Sequence, residues 1–196
     1  MATTCSEFYR VAIGRSVCWG VIGSLLAGCT PGWNLKPVTA YDPSDYRLGV
    51  DDEIRVMTYG QDQFTSSFRV DSQGKVAFPV AGSLRAEGLT TEEFSEEVRK
   101  ALQSAQMLRD PKVAVEVSAY RLVSVLGEVA KPGQYPYQPG MTLLTAVAAG
   151  GGFTYRALES RAYVARQEGH HTTVGFLKPY DYVKPGDVIK IYERHF

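Results

Sequence analysis

Between Phe68 and Gly82 the chain changes character at every second residue: Phe68 and Val70 alternate with Arg69 and Asp71, and Val76 and Phe78 resume the alternation beyond a short break. A period of two predicts strands with one buried face. Asp71-Ser72-Gln73-Gly74 has the chemistry of a reversal, because aspartate and serine bond locally to the backbone and glycine accepts a positive φ. The stretch therefore reads as a hairpin. Pro79 has no amide hydrogen, which puts the second strand at an edge or an end, and Gly82 lets the chain bend into Ser83-Leu84-Arg85-Ala86. Upstream, Ile54, Val56 and Thr58 alternate with Glu53, Arg55 and Met57 as a short strand whose sheet the hairpin is expected to join.

After the hairpin the apolar spacing lengthens. Phe94, Val98, Ala101, Leu102 and Ala105 recur every three or four residues, which predicts a helix over 90–106 with one apolar stripe. Thr90 is its cap, Glu93 can reach back to complete a capping box, and Leu89 can staple to Phe94. Asp110-Pro111 is expected to end it, and Val113, Val115 and Val117 then alternate as the next strand. Beyond residue 120, Leu122–Val129 reads as a strand and Pro132-Gly133 turns the chain into another. Thr142 caps a short helix, Leu143–Ala149, which Gly150-Gly151-Gly152 ends, and Ala162–Arg166 resumes the sheet. The class is α+β: strands with one covering helix over 46–119, then a second small unit over 120–196. Val183–Ile191 echoes Leu48–Val56, each having a turn, an aspartate, one residue, isoleucine, a basic residue and a β-branched residue. Both segments enter a sheet after a reversal, and nine residues are too few to make a repeat.

The first 29 residues differ from all that follows. Arg10 and Arg15 precede an apolar run from Val17 through Ala27, about half the ~20 residues that a membrane-spanning helix needs. This is the shape of a secretory signal over 1–28, and Leu26-Ala27-Gly28-Cys29 resembles the bacterial lipobox, which implies lipid attachment at Cys29. Cys5 and Cys18 would leave with the signal, so one mature chain has no pair for a disulfide. Thr30 after the cysteine, in place of aspartate, implies sorting to the outer membrane. Residues 29–45 carry prolines and no sustained period, as a tether does; Trp33 suits a lipid interface or the domain surface equally.

Composition adds exclusions. The chain is 44% hydrophobic and 21% charged, with 21 basic and 21 acidic residues and no block of one sign, so nothing marks a nucleic-acid partner. Asp51, Asp52, Glu92, Glu93, Glu96 and Glu97 fall at a turn and in a helix's first turns, where caps and the macrodipole account for them better than acid–base catalysis. Gly150-Gly151-Gly152 follows a helix, whereas phosphate loops precede one. His170-His171 reads as a polar loop with two solvated histidines rather than a metal site, and His195 beside the terminus supports nothing. The tyrosines at 135, 137, 155, 163, 180, 182 and 192 suit sugar stacking and strand propensity alike. No catalytic, cofactor or metal residue is assigned.

The ordered set Tyr46–Ile54, Asp71-x-x-Gly74, Phe78-Pro79, Gly82, Gly88-Leu89-Thr90, helix and Asp110-Pro111 resembles the polysaccharide export domain of outer-membrane polysaccharide export proteins, with Val50-Asp51 where proline and glycine are usual. Gly127-Glu128-Val129, Pro132-Gly133, Gly140–Leu144 and Ala149-Gly150-Gly151 resemble the soluble-ligand-binding β-grasp domain that accompanies it. The resemblance implies a non-enzymatic outer-membrane lipoprotein facing the periplasm. It implies a homo-oligomeric ring, commonly an octamer, that exports capsular or exopolysaccharide opposite an inner-membrane polysaccharide co-polymerase. Larger members add a further β-grasp copy and a C-terminal amphipathic helix. With Phe196 directly after its last strand, this sequence reads as a short form expected to use a separate outer-membrane β-barrel. The alternative is a monomeric periplasmic glycan-binding lipoprotein without a transport role.

Overall fold

Two hydrophobic cores, each closed by one capped helix, organise the chain. The computed structural model describes residues 34–79, 81–169 and 171–194; Cys29, Trp33, His170 and His195 lie outside them. In the first core, β1 (Glu53–Thr58) is the middle strand of an antiparallel sheet, flanked by β2 (Ser66–Arg69) and β5 (Val113–Ala119). β1 alternates as its sequence predicts: Ile54, Val56 and Thr58 are buried. Above this sheet lies α1 (Thr91–Ser104), burying Phe94, Val98 and Leu102. Its capping box is complete, with the Glu93 amide donating to Thr90 Oγ1 (3.1 Å) and the Thr90 amide to Glu93 Oε2 (2.9 Å).

The hairpin expected around Asp71–Gly74 resolves differently. The reversal is there, with Asp71 Oδ1 accepting from the amides of Gln73 and Lys75, both at 2.8 Å. Its two arms, however, enter separate sheets. β2 pairs with β1, whereas β3 (Lys75–Phe78) pairs with β4 (Gly82–Arg85) across a turn in which Gly82 has φ +78°. Val70 and Val76, on either side of the reversal, are both fully buried, and the Gly74 carbonyl accepts from the amides of Ala86 and Glu87. The core and β4 thus draw the second arm away from the first.

The end of α1 also departs from expectation. It stops before Asp110-Pro111, because Gln106 adopts φ +56° and the Gln106 and Met107 amides bond back to Gln103 and Leu102. That is a Schellman ending made without glycine, and nothing in the sequence marks it.

The second core is covered by a five-stranded sheet in the order β7-β6-β10-β8-β9: β6 is Val123–Gly127, β7 Gly133–Tyr135, β8 Ala157–Glu168, β9 His171–Leu177 and β10 Val188–Glu193. β10 runs parallel to β6 and antiparallel to β8. A hairpin, a helix, and a last strand inserted parallel to the first make this a β-grasp. Here α2 (Leu143–Ala149) is the grasped helix, capped reciprocally by Thr142 and Thr145 and burying Leu143, Ala146 and Val147. β9 replaces the polar loop expected around His170-His171. Gly169 turns the chain with φ +56°, and exposed His171 begins the strand.

Residues 36–41, read from sequence as tether, are docked. Lys36 and Val38 bond to Phe176 of β9 (3.1 and 3.3 Å), Val38 packs on the second core, and the Thr39 carbonyl accepts from Arg166 (3.0 Å). The strap covers an edge strand that would otherwise present unpaired backbone groups.

Gly127 has φ +86°, and a Cβ there would lie 2.1 Å from the Ile191 carbonyl oxygen; Gly140 has φ +83° with nothing within 4 Å of such a Cβ. Gly140→Ala is expected to cost about 1 kcal/mol from backbone strain alone. Gly127→Ala should cost clearly more, because β10 must also move away from β6. Urea denaturation of the two variants checks the difference.

Candidate functional site

The sequence echo between Leu48–Val56 and Val183–Ile191 is a structural one. In both, a buried aspartate closes the turn ahead of a central strand. Asp52 Oδ2 accepts from the Gly49 amide (2.7 Å) and Asp187 Oδ2 from the Lys184 amide (2.9 Å), while Asp51 and Gly186 before them take φ +71° and +86°. Each carboxylate has an arginine. Arg166 binds Asp187 through two bonds of 3.0 and 2.8 Å, with both side chains almost fully buried. Arg121, in the link between the two cores, places Nε 3.3 Å from Asp52 Oδ1, and its own amide donates to the same oxygen (3.2 Å). The Arg121 guanidinium lies against Gly49, where a Cβ would come within 2.3 Å of Nη1.

Aromatic rings continue this junction. Tyr46 donates its hydroxyl to Asp52 Oδ2, and its ring meets Tyr120 edge-on at 5.0 Å; Tyr120 meets Tyr137 at 5.4 Å. Tyr41, at the end of the strap, lies 5.9 Å from the Arg166 guanidinium and 5.8 Å from Lys184 Nζ. Burial, reinforced by the Asp52 charge, pushes the Tyr46 phenol well above the usual tyrosine range, and burial does the same for Tyr41. These tyrosines are structural. Among the seven singled out in the sequence, Tyr137 is buried in the second core, while Tyr155 and Tyr180 are more than three-quarters exposed and Tyr182 about half.

The linked turns leave a cleft of about 1050 Å³ between the two cores. Residues from both halves line it, among them Asp51, Arg69, Lys75, Glu87, Gln134 and Gln167, together with Tyr120, Arg121 and Leu122 of the link. Its charges are mixed in sign. Of the carboxylates weighed in the sequence, Asp51 reaches the cleft and Asp52 is consumed by its turn, whereas Glu93 caps α1 and Glu96 and Glu97 pair with Arg99 and Lys100 on the helix surface. No cluster of metal-ligating side chains exists among the described residues. Arg121 and Arg166 escaped the sequence reading; the shared turn-Asp-x-Ile pattern was the signal, since a buried turn aspartate needs a cation.

Asp187→Ala should destabilise the protein by about 3–5 kcal/mol, because it leaves Arg166 buried without its carboxylate; chemical denaturation measures it, and Asp187→Ala with Arg166→Met should recover part of the loss. The raised phenols predict an alkaline limit. Tyrosines that ionise near pH 10 when unfolded stay protonated in the fold, so stability is fully present below pH 10 and falls as pH rises above it. Tyr46→Phe should flatten that fall in melting curves recorded across the alkaline range.

Comparison with known proteins gives this architecture a family. The polysaccharide biosynthesis/export protein family matches residues 40–118, and the SLBB domain family matches residues 122–176. The exopolysaccharide production protein ExoF of Rhizobium meliloti (strain 1021) is 39% identical over 119 residues, which are 55% of this chain and 28% of ExoF. The EPS I polysaccharide export outer membrane protein EpsA of Ralstonia nicotianae is 31% identical over 146 residues, 67% of this chain and 37% of that protein. EpsA of Ralstonia solanacearum is 38% identical over 86 residues, 42% of this chain and 22% of its own. The matches thus span between 22% and 37% of these relatives' lengths. The chain therefore carries a domain of the polysaccharide biosynthesis/export protein family followed by an SLBB domain, one on each of the two cores joined through Arg121.

Proposed function

We propose that this protein serves polysaccharide export at the outer membrane. The observation that carries the reading is the succession of the two family domains in one chain, together with relatives named for exopolysaccharide production and for polysaccharide export. The polymer is a capsular or exopolysaccharide. The export domain occupies 46–119 and the β-grasp domain 120–196.

In this proposal Cys29, after the apolar segment Val17–Ala27, carries the lipid and holds the chain to the outer membrane, facing the periplasm. Two or more acyl chains suffice for stable anchoring where one is marginal. Copies assemble by a heterologous contact, which closes into a ring when its rotation divides the circle evenly. An inner-membrane polysaccharide co-polymerase delivers the polymer to that ring. The protein's part is passage and guidance, not bond cleavage.

Deletion of the gene should leave polymer synthesis intact while extracellular polymer falls to background; unchanged secretion would defeat the proposal. Cys29→Ser should abolish incorporation of labelled palmitate and shift the protein out of the membrane fraction. Native mass spectrometry in mild detergent should show a multiple of the chain mass, and a monomer at every concentration would rule out the ring.

A further inference from the structure

The cleft between the two cores selects a ligand class by its chemistry. Its charges balance: Asp51, Glu53 and Glu87 stand against Arg69, Lys75 and Arg121, and two of the cations are already engaged, Arg69 facing Glu53 at 3.6 Å and Arg121 turned onto Asp52 at 3.3 Å. Neither a polyanion nor a cation gains much from such a surface. Three exposed amides line it, Gln73, Gln134 and Gln167, and their contacts within the protein are long. Lys75 Nζ lies 3.5 Å from Gln73 Oε1, Gln134 Nε2 lies 3.5 Å from Ser124 Oγ, and Gln167 Nε2 lies 3.3 Å from the Gly169 carbonyl. Each amide has donor and acceptor capacity to spare. Leu122, 46% exposed, adds an apolar surface beside them.

A sugar ring presents hydroxyls around its edge and C–H groups on its faces, and planar amides beside an aliphatic surface match both. At about 1050 Å³ the cleft sits at the upper end of ligand pockets, which run to roughly 1000 Å³, so more than one ring fits. Its walls are fixed to one another through Asp52, Arg121 and the tyrosine contacts, so binding requires no folding step. We infer that this cleft binds an uncharged oligosaccharide segment, with Gln134 and Gln167 of the β-grasp side as its hydrogen-bonding residues. The identification of that segment with the transported polymer rests on the export reading; the binding does not.

The test presents the full chain to an array of neutral and uronic-acid-containing oligosaccharides, then titrates the best neutral binder against the wild type and the double variant Gln134→Ala/Gln167→Ala. Gln63→Ala, outside the cleft, is the control. Neutral oligosaccharides should bind, and the double variant should raise Kd about tenfold or more at unchanged melting temperature, with the control like wild type. An array on which no neutral glycan binds, a preference for acidic glycans, or a double variant that binds like wild type overturns the inference. Secretion in the deletion strain separates the two readings: polymer retained in the cell with an empty array defeats the cleft alone, and normal secretion with glycan bound in the cleft defeats export alone.

Discussion

A buried carboxylate in a tight turn is the constraint on which this molecule depends. Asp52 closes the turn before β1, and desolvating it is tolerable only because the Gly49 amide, the Tyr46 hydroxyl and Arg121 all converge on it. Arg121 belongs to the chain between the cores, so satisfying the first domain's charge also fixes where the second begins. Asp187 and Arg166 repeat the device inside the β-grasp, and Arg166 extends it by holding the Thr39 carbonyl of the strap. One solution to one electrostatic problem thus orders both sheets and the segment that leads into them.

What the sequence shows and what it hides follow from the range of the forces involved. The helices were legible because capping is local: Thr90 with Glu93 and Thr142 with its neighbours do in space what their spacing says. β1 and β5 were legible because burial alternates along them. The pairing of β2 and β3 was not, since both strands have the right period and the choice of partner belongs to Val70, Val76 and the Gly74 carbonyl, which act across the core. The ending of α1 at Gln106 was hidden because a left-handed glutamine carries no compositional mark. β9 was hidden by its polar outer residues, His171 to Thr173, which mask a strand that pairs with its sequence neighbour β8 on one side and with the distant strap at Lys36 and Val38 on the other.

The cleft was illegible for a related reason. Its lining residues come from separate stretches spread between Val50 and Gly186, and the glutamines among them are, each taken alone, ordinary surface residues. Only the two turns bring them to one place. The tyrosines show the converse: a sequence rich in them invites a sugar-stacking reading, yet Tyr46, Tyr120 and Tyr137 pack edge-on against one another across the junction of the two halves.

The docked strap bears on how the molecule stands at a membrane. If Cys29 is the anchored residue, about seven residues separate it from Lys36, and a chain extends no more than roughly 3.6 Å per residue. The β9 flank is then leashed within about 25 Å of the lipid surface, with little freedom to swing, and the first contact a lateral pull would meet is the pairing of Lys36 and Val38 with Phe176.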